Sequence, residues 1–113
     1  MELKPKFDIN YLPPALEFLE SLPEKVQNKI AFNISKSRFF IDKELFKKLD
    51  GNIWEFRTIY EKQKYRLLAF WDNDIGNLVI ATHGIVKKQW NVPKNEIERA
   101  EQLRTQYFNQ KQK

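Results

Sequence analysis

The chain reads as an α+β domain with the element order (β)ααβββα, an antiparallel sheet carrying a helical hairpin on one face and ending in a further helix. Two observations carry this expectation. Apolar residues recur at helical spacing in two adjoining stretches near the N-terminus and once more near the C-terminus, whereas the runs between them alternate or are continuously β-branched. The second is the absence of linker or repeat signals, since three Gly and five Pro among 113 residues are too few to separate domains. We expect a single domain over residues 1–113.

Met1 to Phe7 is read as a short edge strand. "PPALEFLE" starts a helix, because proline is tolerated in a first turn where its missing N–H has no intrahelical partner, with Leu16 and Leu19 on one face. In "SLPE", Ser21 and Glu24 have the spacing of a capping box. Val26, Ile30 and Ile34 follow at intervals of four, so "EKVQNKIAFNISKS" is an amphipathic helix packed on the first. "RFFIDKELFKKLDG" is ambiguous, with Phe46 and Leu49 as anchors and Asp50-Gly51 as a turn. Three strands are expected at Ile53 to Tyr60, Tyr65 to Trp71 and Leu78 to Val86, the last central because it is nearly all apolar. Pro93 opens the last helix, whose stripe is Ile97, Ala100, Leu103 and Tyr107.

Symmetric closure of the Glu61 to Lys64 loop pairs Tyr60 with Tyr65, making Arg57 and Arg66 diagonal neighbours on one face. Symmetric closure of "DNDIGN" pairs Trp71 with Leu78 and sets Arg66 opposite His83. The opposite face receives Trp54, Phe56, Tyr65, Leu67 and Trp71, a surface suited to the helical hairpin. The two arginines and the lone histidine thus occupy the less buried face. Each alone is more often structural than functional: an arginine in a strand is usually packed and paired, and a histidine in an apolar strand is usually a satisfied core residue. Two neighbouring cations with an imidazole, followed by Lys87 and Lys88 at the exit of the same central strand, point to an anion site.

Twenty Lys and Arg against fifteen Asp and Glu give a net charge of +5, which favours nucleic acid first and an acidic protein face second, although charge alone weighs these about evenly with a merely solvated basic surface. The chain has no cysteine, so disulfides and cysteine zinc sites are excluded. One histidine and no acidic cluster argue against a dedicated metal site, and no cofactor motif is present. No signal core or membrane-length apolar run is visible, which places the protein in the cytoplasm.

"FKKLDGNIWEFR", "YRLLAF" and "VIATHGIVKKQWNVPKNEIERA", in that order behind a helical hairpin, resemble the HigB-type, phage-protein-like branch of the RelE/ParE superfamily of toxin components. The resemblance covers most of the chain after Leu12. It implies a small curved sheet with a basic surface opposite the helical hairpin, and the activity of a metal-independent endoribonuclease that cuts messenger RNA on the ribosome. Arg66 matches the phosphate-binding arginine of the superfamily's "YR" strand. Lys87 and Lys88 match the basic pair after the last strand, and Arg57 closes the branch's "W-E-x-R" pattern. A partner is implied too: a small antitoxin, often with a helix-turn-helix domain, forming a toxin–antitoxin hetero-oligomer.

The chain departs from the RelE ribonucleases where they carry lysines in the strand entering the hairpin, for it has Ile53, Trp54 and Glu55 there. It also has Ile97 in place of a tyrosine at the start of the final helix. Their lysine-based proton chemistry therefore does not transfer. His83, with an ordinary pKa near about 6.5, is the first candidate acid or base, and Glu55 the alternative base. Lys47, Lys48, Lys62 and Lys64 are candidate phosphate contacts, and Trp90 or Tyr60 candidate stacking platforms. Two other classes stay open: a ParE-like inhibitor that binds DNA gyrase without chemistry, and a basic RNA- or ribosome-binding module.

Overall fold

The computed structural model describes residues 3–112. The elements are β1 (Asp8–Tyr11), α1 (Pro13–Glu20), α2 (Glu24–Phe39), β2 (Phe46–Asp50), β3 (Ile53–Tyr60), β4 (Gln63–Asp72), β5 (Leu78–Lys87) and α3 (Lys94–Lys111). One five-stranded sheet has the order β1-β5-β4-β3-β2, with β1 parallel to β5 and every other pair antiparallel.

The α+β architecture, the two successive N-terminal helices and the last helix follow the sequence reading, but α1 packs on β5 and α2 on β3 rather than on each other, and the sheet has two more ordered strands than its three clear signals. The ambiguous "FKKLD" is β2. The first strand lies later than expected: Met1 and Glu2 are outside the described residues, Leu3 to Phe7 is not strand, and pairing begins at Asp8. Phe7 is instead a core residue, its ring 5.3 Å from Phe46 and 5.5 Å from Trp71. The capping box does not form. α2 starts behind Pro23, so Ser21 lies too far upstream to reach its first N–H groups, and its hydroxyl donates to the Phe18 carbonyl at 2.6 Å.

Two cores sandwich the sheet. On one face α1 and α2 bury Ala15, Val26, Ile30 and Ile34 against Phe56, Tyr65, Leu67, Val79 and Ala81. Leu16, expected in that stripe, is 44% exposed, and Ala15, Phe18 and Leu19 make the contact instead. Gly84 makes the close approach possible, because a Cβ there would collide with the Phe18 ring. On the other face α3 and Val92 cover Ile53, Leu68, Phe70, Leu78 and Ile80, with Ala100 fully buried at the crossing. The face expected to be less buried is therefore roofed along half its length.

Both hairpin registers differ from symmetric closure. β3 and β4 are joined by only Glu61 and Lys62, which both adopt positive φ (47° and 69°), so Tyr60 pairs with Gln63 and Arg57 with Arg66. The shift is by two residues, so every side chain keeps its expected face. Between β4 and β5, Asp72 pairs with Leu78, and an irregularity at Leu68/Ala69 places Leu68 rather than Arg66 opposite His83. The extra residue of the bulge, Thr82, restores the face of His83.

Candidate functional site: a basic cleft at the hairpin end of the sheet

α3 ends its cover short of the β3–β4 hairpin, and a cleft of about 520 Å³ opens there. Its basic wall consists of Lys47 from β2, Arg57 from β3, Lys64 and Arg66 from β4, and Lys87 from β5. Register explains the convergence. Arg57 faces Arg66 and Lys64 faces Lys87 across adjacent strand pairs, while Lys47 pairs with Glu55. Trp90, Val92 and Ile97 close the far side.

Arg66 is the largest of the fully buried side chains among the described residues, and its partner Glu55 is only 3% exposed. Nε of Arg66 lies 2.9 Å from Oε1 of Glu55, an ion pair in which the N–H is not aligned on the oxygen, so neither atom has a proper hydrogen bond. Nη1 donates to the Tyr65 carbonyl at 3.1 Å. Neither contact uses Nη2. Burial, opposed by Glu55 and reinforced by Arg57, lowers the Arg66 pKa, but a guanidinium is basic enough to stay charged.

Arg57 is half-buried. Nη1 donates weakly to the Lys43 carbonyl at 3.5 Å and stands 4.0 Å from an exposed Glu44 carboxylate, while its Nε has no partner. Glu55 therefore belongs to Arg66 rather than to Arg57. Lys87 is acidified, chiefly by burial and then by the Arg66 charge, with Glu55 opposing.

His83 shares the sheet face of the arginines yet does not reach the cleft. It is 1% exposed beneath α3, with Nε2 3.2 Å from Glu96 Oε1 and Nδ1 3.1 Å from Thr82 Oγ1. Burial, aided by Arg99 and opposed by Glu96, lowers its pKa, so the ring is neutral at pH 7. An ionised carboxylate only accepts, hence Nε2 carries the proton and Nδ1 is left as an acceptor, competing for the one Thr82 hydroxyl proton with the Leu68 carbonyl 3.2 Å away. The bulge and the α3 roof thus set His83 in the packed interior, outside the cleft that holds the two arginines.

The other candidates divide. Lys64 and Trp90 belong together, with Nζ 5.8 Å from the indole centroid and Trp90 86% exposed. Lys62 is exposed in the turn, Lys88 is exposed just past β5, and Lys48 is exposed on the strand position facing Trp54, away from the Lys47 side of β2. None of these three lines the cleft. Tyr60 lies on the helical face, against the α1–α2 core. Among the described residues no group of three His, Asp or Glu side chains is arranged to hold a metal ion. Sequence reasoning missed Asn91 and Leu49 in the wall and, more consequentially, the groove along α2 described below. Phe32 and Lys36 fall outside the Val26, Ile30, Ile34 stripe that marks that helix in the sequence.

The fold is similar to that of a chain in the toxin–antitoxin complex RelBE2 from Mycobacterium tuberculosis. The match has a TM-score of 0.51 and 18% identity, and covers 74% of this chain and 100% of the other. No curated protein sequence matches the chain. The family model for phage-derived Gp49-like proteins matches residues 17–105, which hold α2, four of the five strands and most of α3. The chain belongs to the phage-derived Gp49-like protein family.

Proposed function

We propose that the protein is the toxin of a type II toxin–antitoxin pair and that it cuts messenger RNA on the ribosome without a metal. The observation that carries this reading is the convergence of Lys47, Arg57, Lys64, Arg66 and Lys87 on one cleft beside the buried carboxylate of Glu55. The RelE-like fold, seen in a toxin–antitoxin complex, supports it and supports an antitoxin as partner.

The chemistry requires the 2′-OH to lose a proton, the phosphorane to be stabilised and the 5′-oxygen to be protonated. Glu55 is the base. Taking the 2′-OH proton neutralises its carboxylate and releases the Arg66 charge, which then serves the phosphorane as its negative charge grows. The 2′-oxygen attacks phosphorus, and Lys87, acidified by its surroundings, gives its proton to the departing 5′-oxygen. The products are a 2′,3′-cyclic phosphate and a 5′-hydroxyl. Arg57 holds a non-bridging oxygen, since its Nε has no protein partner.

One observation favours a second reading. Arg66 and Glu55 are locked together and nearly inaccessible, an arrangement that a ParE-like gyrase inhibitor tolerates and a nuclease has to open. Expression in cells with mapping of RNA ends separates the two. New 5′ ends within translated frames are expected, whereas intact transcripts with blocked DNA supercoiling reject the nuclease.

A further inference from the structure

A second groove, of about 320 Å³, runs between α2 and β3 and is continuous with the cleft, because both are walled by Arg57, Ile59 and Arg66. Its outer wall is Lys29, Phe32 and Lys36 on α2. A single exposed Phe on a helix needs no explanation. Here, however, Phe32 is 61% exposed beside Ile59, also 61% exposed, and the Lys29 Nζ stands 5.6 Å from the Phe32 ring centroid. The cleft repeats that arrangement at its far end, with Lys64 over Trp90. Two exposed aromatic rings, each beside a lysine, thus flank the arginine pair from opposite sides.

We propose that the α2 groove is a second nucleotide subsite, in which an unpaired base stacks on Phe32 and the adjoining phosphates meet Lys29 and Lys36. The inference rests on the RNA-cutting reading and assigns that substrate a path: single-stranded RNA crosses Arg57 and Arg66 with one flank against Trp90 and the other against Phe32. Charge selects the occupant. The groove's lining holds Lys29, Lys36, Arg57 and Arg66 against the single carboxylate of Glu44, so an acidic strand fits and a basic one does not. The form of the apolar surface selects further. A ring with a neighbouring cation takes the face of any base, provided that the base is not already paired. The unpartnered Arg57 Nε lies where the two grooves meet and supplies a donor to the phosphate between them.

The test is binding of a fluorescent 2′-O-methyl RNA, which lacks the attacking hydroxyl and so cannot be cut, to the full chain as a single strand and as a duplex. Phe32→Ala should weaken the single strand about tenfold and leave the duplex unchanged, while Phe32→Tyr retains affinity. Lys29→Gln and Lys36→Gln should each reduce the salt slope by about 0.7. Because these side chains are exposed, the melting temperatures should match the wild type. Wild-type binding with Phe32→Ala unchanged overturns the α2 subsite alone. Failure of the wild type to bind single-stranded RNA also overturns the subsite, whereas the RNA-cutting reading falls only if the mapped transcripts remain intact. Loss of antitoxin affinity in Phe32→Ala with RNA affinity intact likewise overturns the subsite, and assigns the groove to protein.

Discussion

Removing the Arg66 guanidinium has two consequences that must be measured apart. It takes away the proposed phosphate contact, and it strands the Glu55 carboxylate, 3% exposed, without its cation. Breaking a buried ion pair from one side costs about 3 kcal/mol, so Arg66→Ala should lose stability as well as cleavage. Arg66→Lys keeps the charge but not the planar fork, and should recover most of the stability with little of the rate. Glu55→Gln is the complementary probe. It keeps an acceptor beside Arg66 but removes both the charge that pairs the guanidinium and the ability to take a proton, so its melting temperature is read beside its rate, and single-turnover cleavage should fall at least about a hundredfold while ribosome affinity is retained. Cleavage by Glu55→Gln at the wild-type rate would show that the base lies elsewhere. The sequence made the pairing of Arg57 with Arg66 on one face legible because face depends only on odd or even spacing. It left open whether Glu55 pairs with Arg57 or with Arg66, since salt-bridge choice between two adjacent strands is set by side-chain packing that alternation does not encode.

The β3–β4 hairpin carries its strain in the turn. Glu61 and Lys62 both occupy the left-handed region, where a non-glycine residue costs roughly 1 kcal/mol and where two-residue hairpin loops ordinarily use Asn-Gly. This is why the loop length was not legible: with no Asn-Gly signal, "EKQK" reads as a four-residue loop. Replacing Glu61 by Asn and Lys62 by Gly should raise stability by about 1 kcal/mol in urea unfolding and leave cleavage unaltered, since neither side chain lines the cleft. At Gly84 the sign is opposite. A methyl group there meets the Phe18 ring between α1 and β5, and Gly84→Ala should cost about 2 kcal/mol unless Phe18 is shortened as well. Gly84→Ala combined with Phe18→Leu should recover part of that loss in the same unfolding assay. β1 and β2 were weak in the sequence for a related reason: strands of four and five residues at the two sheet edges leave little room for alternation to show.

At the scale of the molecule, α3 is what converts a sheet face into a cleft, and it is pinned at both ends by buried titratable groups. Near its start Glu96 meets His83 of β5. Near its end Tyr107 and Lys111 donate to Asp72 of β4, each at 2.6 Å, and Asp72 is fully buried. The pH dependence of each pin follows from the direction of its shift. The His83 pKa is lowered from 6.5, mainly by burial, so its contribution is present above that value and declines as pH falls through the folded pKa. Burial alone would raise Asp72, but hydrogen bonds from Lys111, Tyr107 and the Asp74 and Ile75 amides prevail and lower it from 3.8, so that contribution is lost only in stronger acid. Stability should thus fall in two steps on acidification, and His83→Gln should abolish the upper one without changing the lower.

The alkaline side isolates the other pin. Burial, then the hydrogen bond and charge of Asp72, push Tyr107 from 10.0 up to about 12. A raised pKa means that the unfolded chain loses this proton first, so the stabilisation is complete below pH 10 and drains away as pH rises toward 12. Tyr107→Phe should therefore lower stability by about 1.5 kcal/mol at neutral pH, the usual worth of a hydrogen bond to a charged group. The decisive comparison is between pH 9 and pH 11, roughly bracketing the free tyrosine value. The wild type should lose stability across that interval more steeply than Tyr107→Phe, in which Lys111 is the one α3 side chain still bonded to Asp72. Parallel curves for the two proteins would mean that the Tyr107 hydroxyl does not fasten α3, and that the apolar contacts of Phe70, Ala100 and Phe108 keep the helix over the sheet without it.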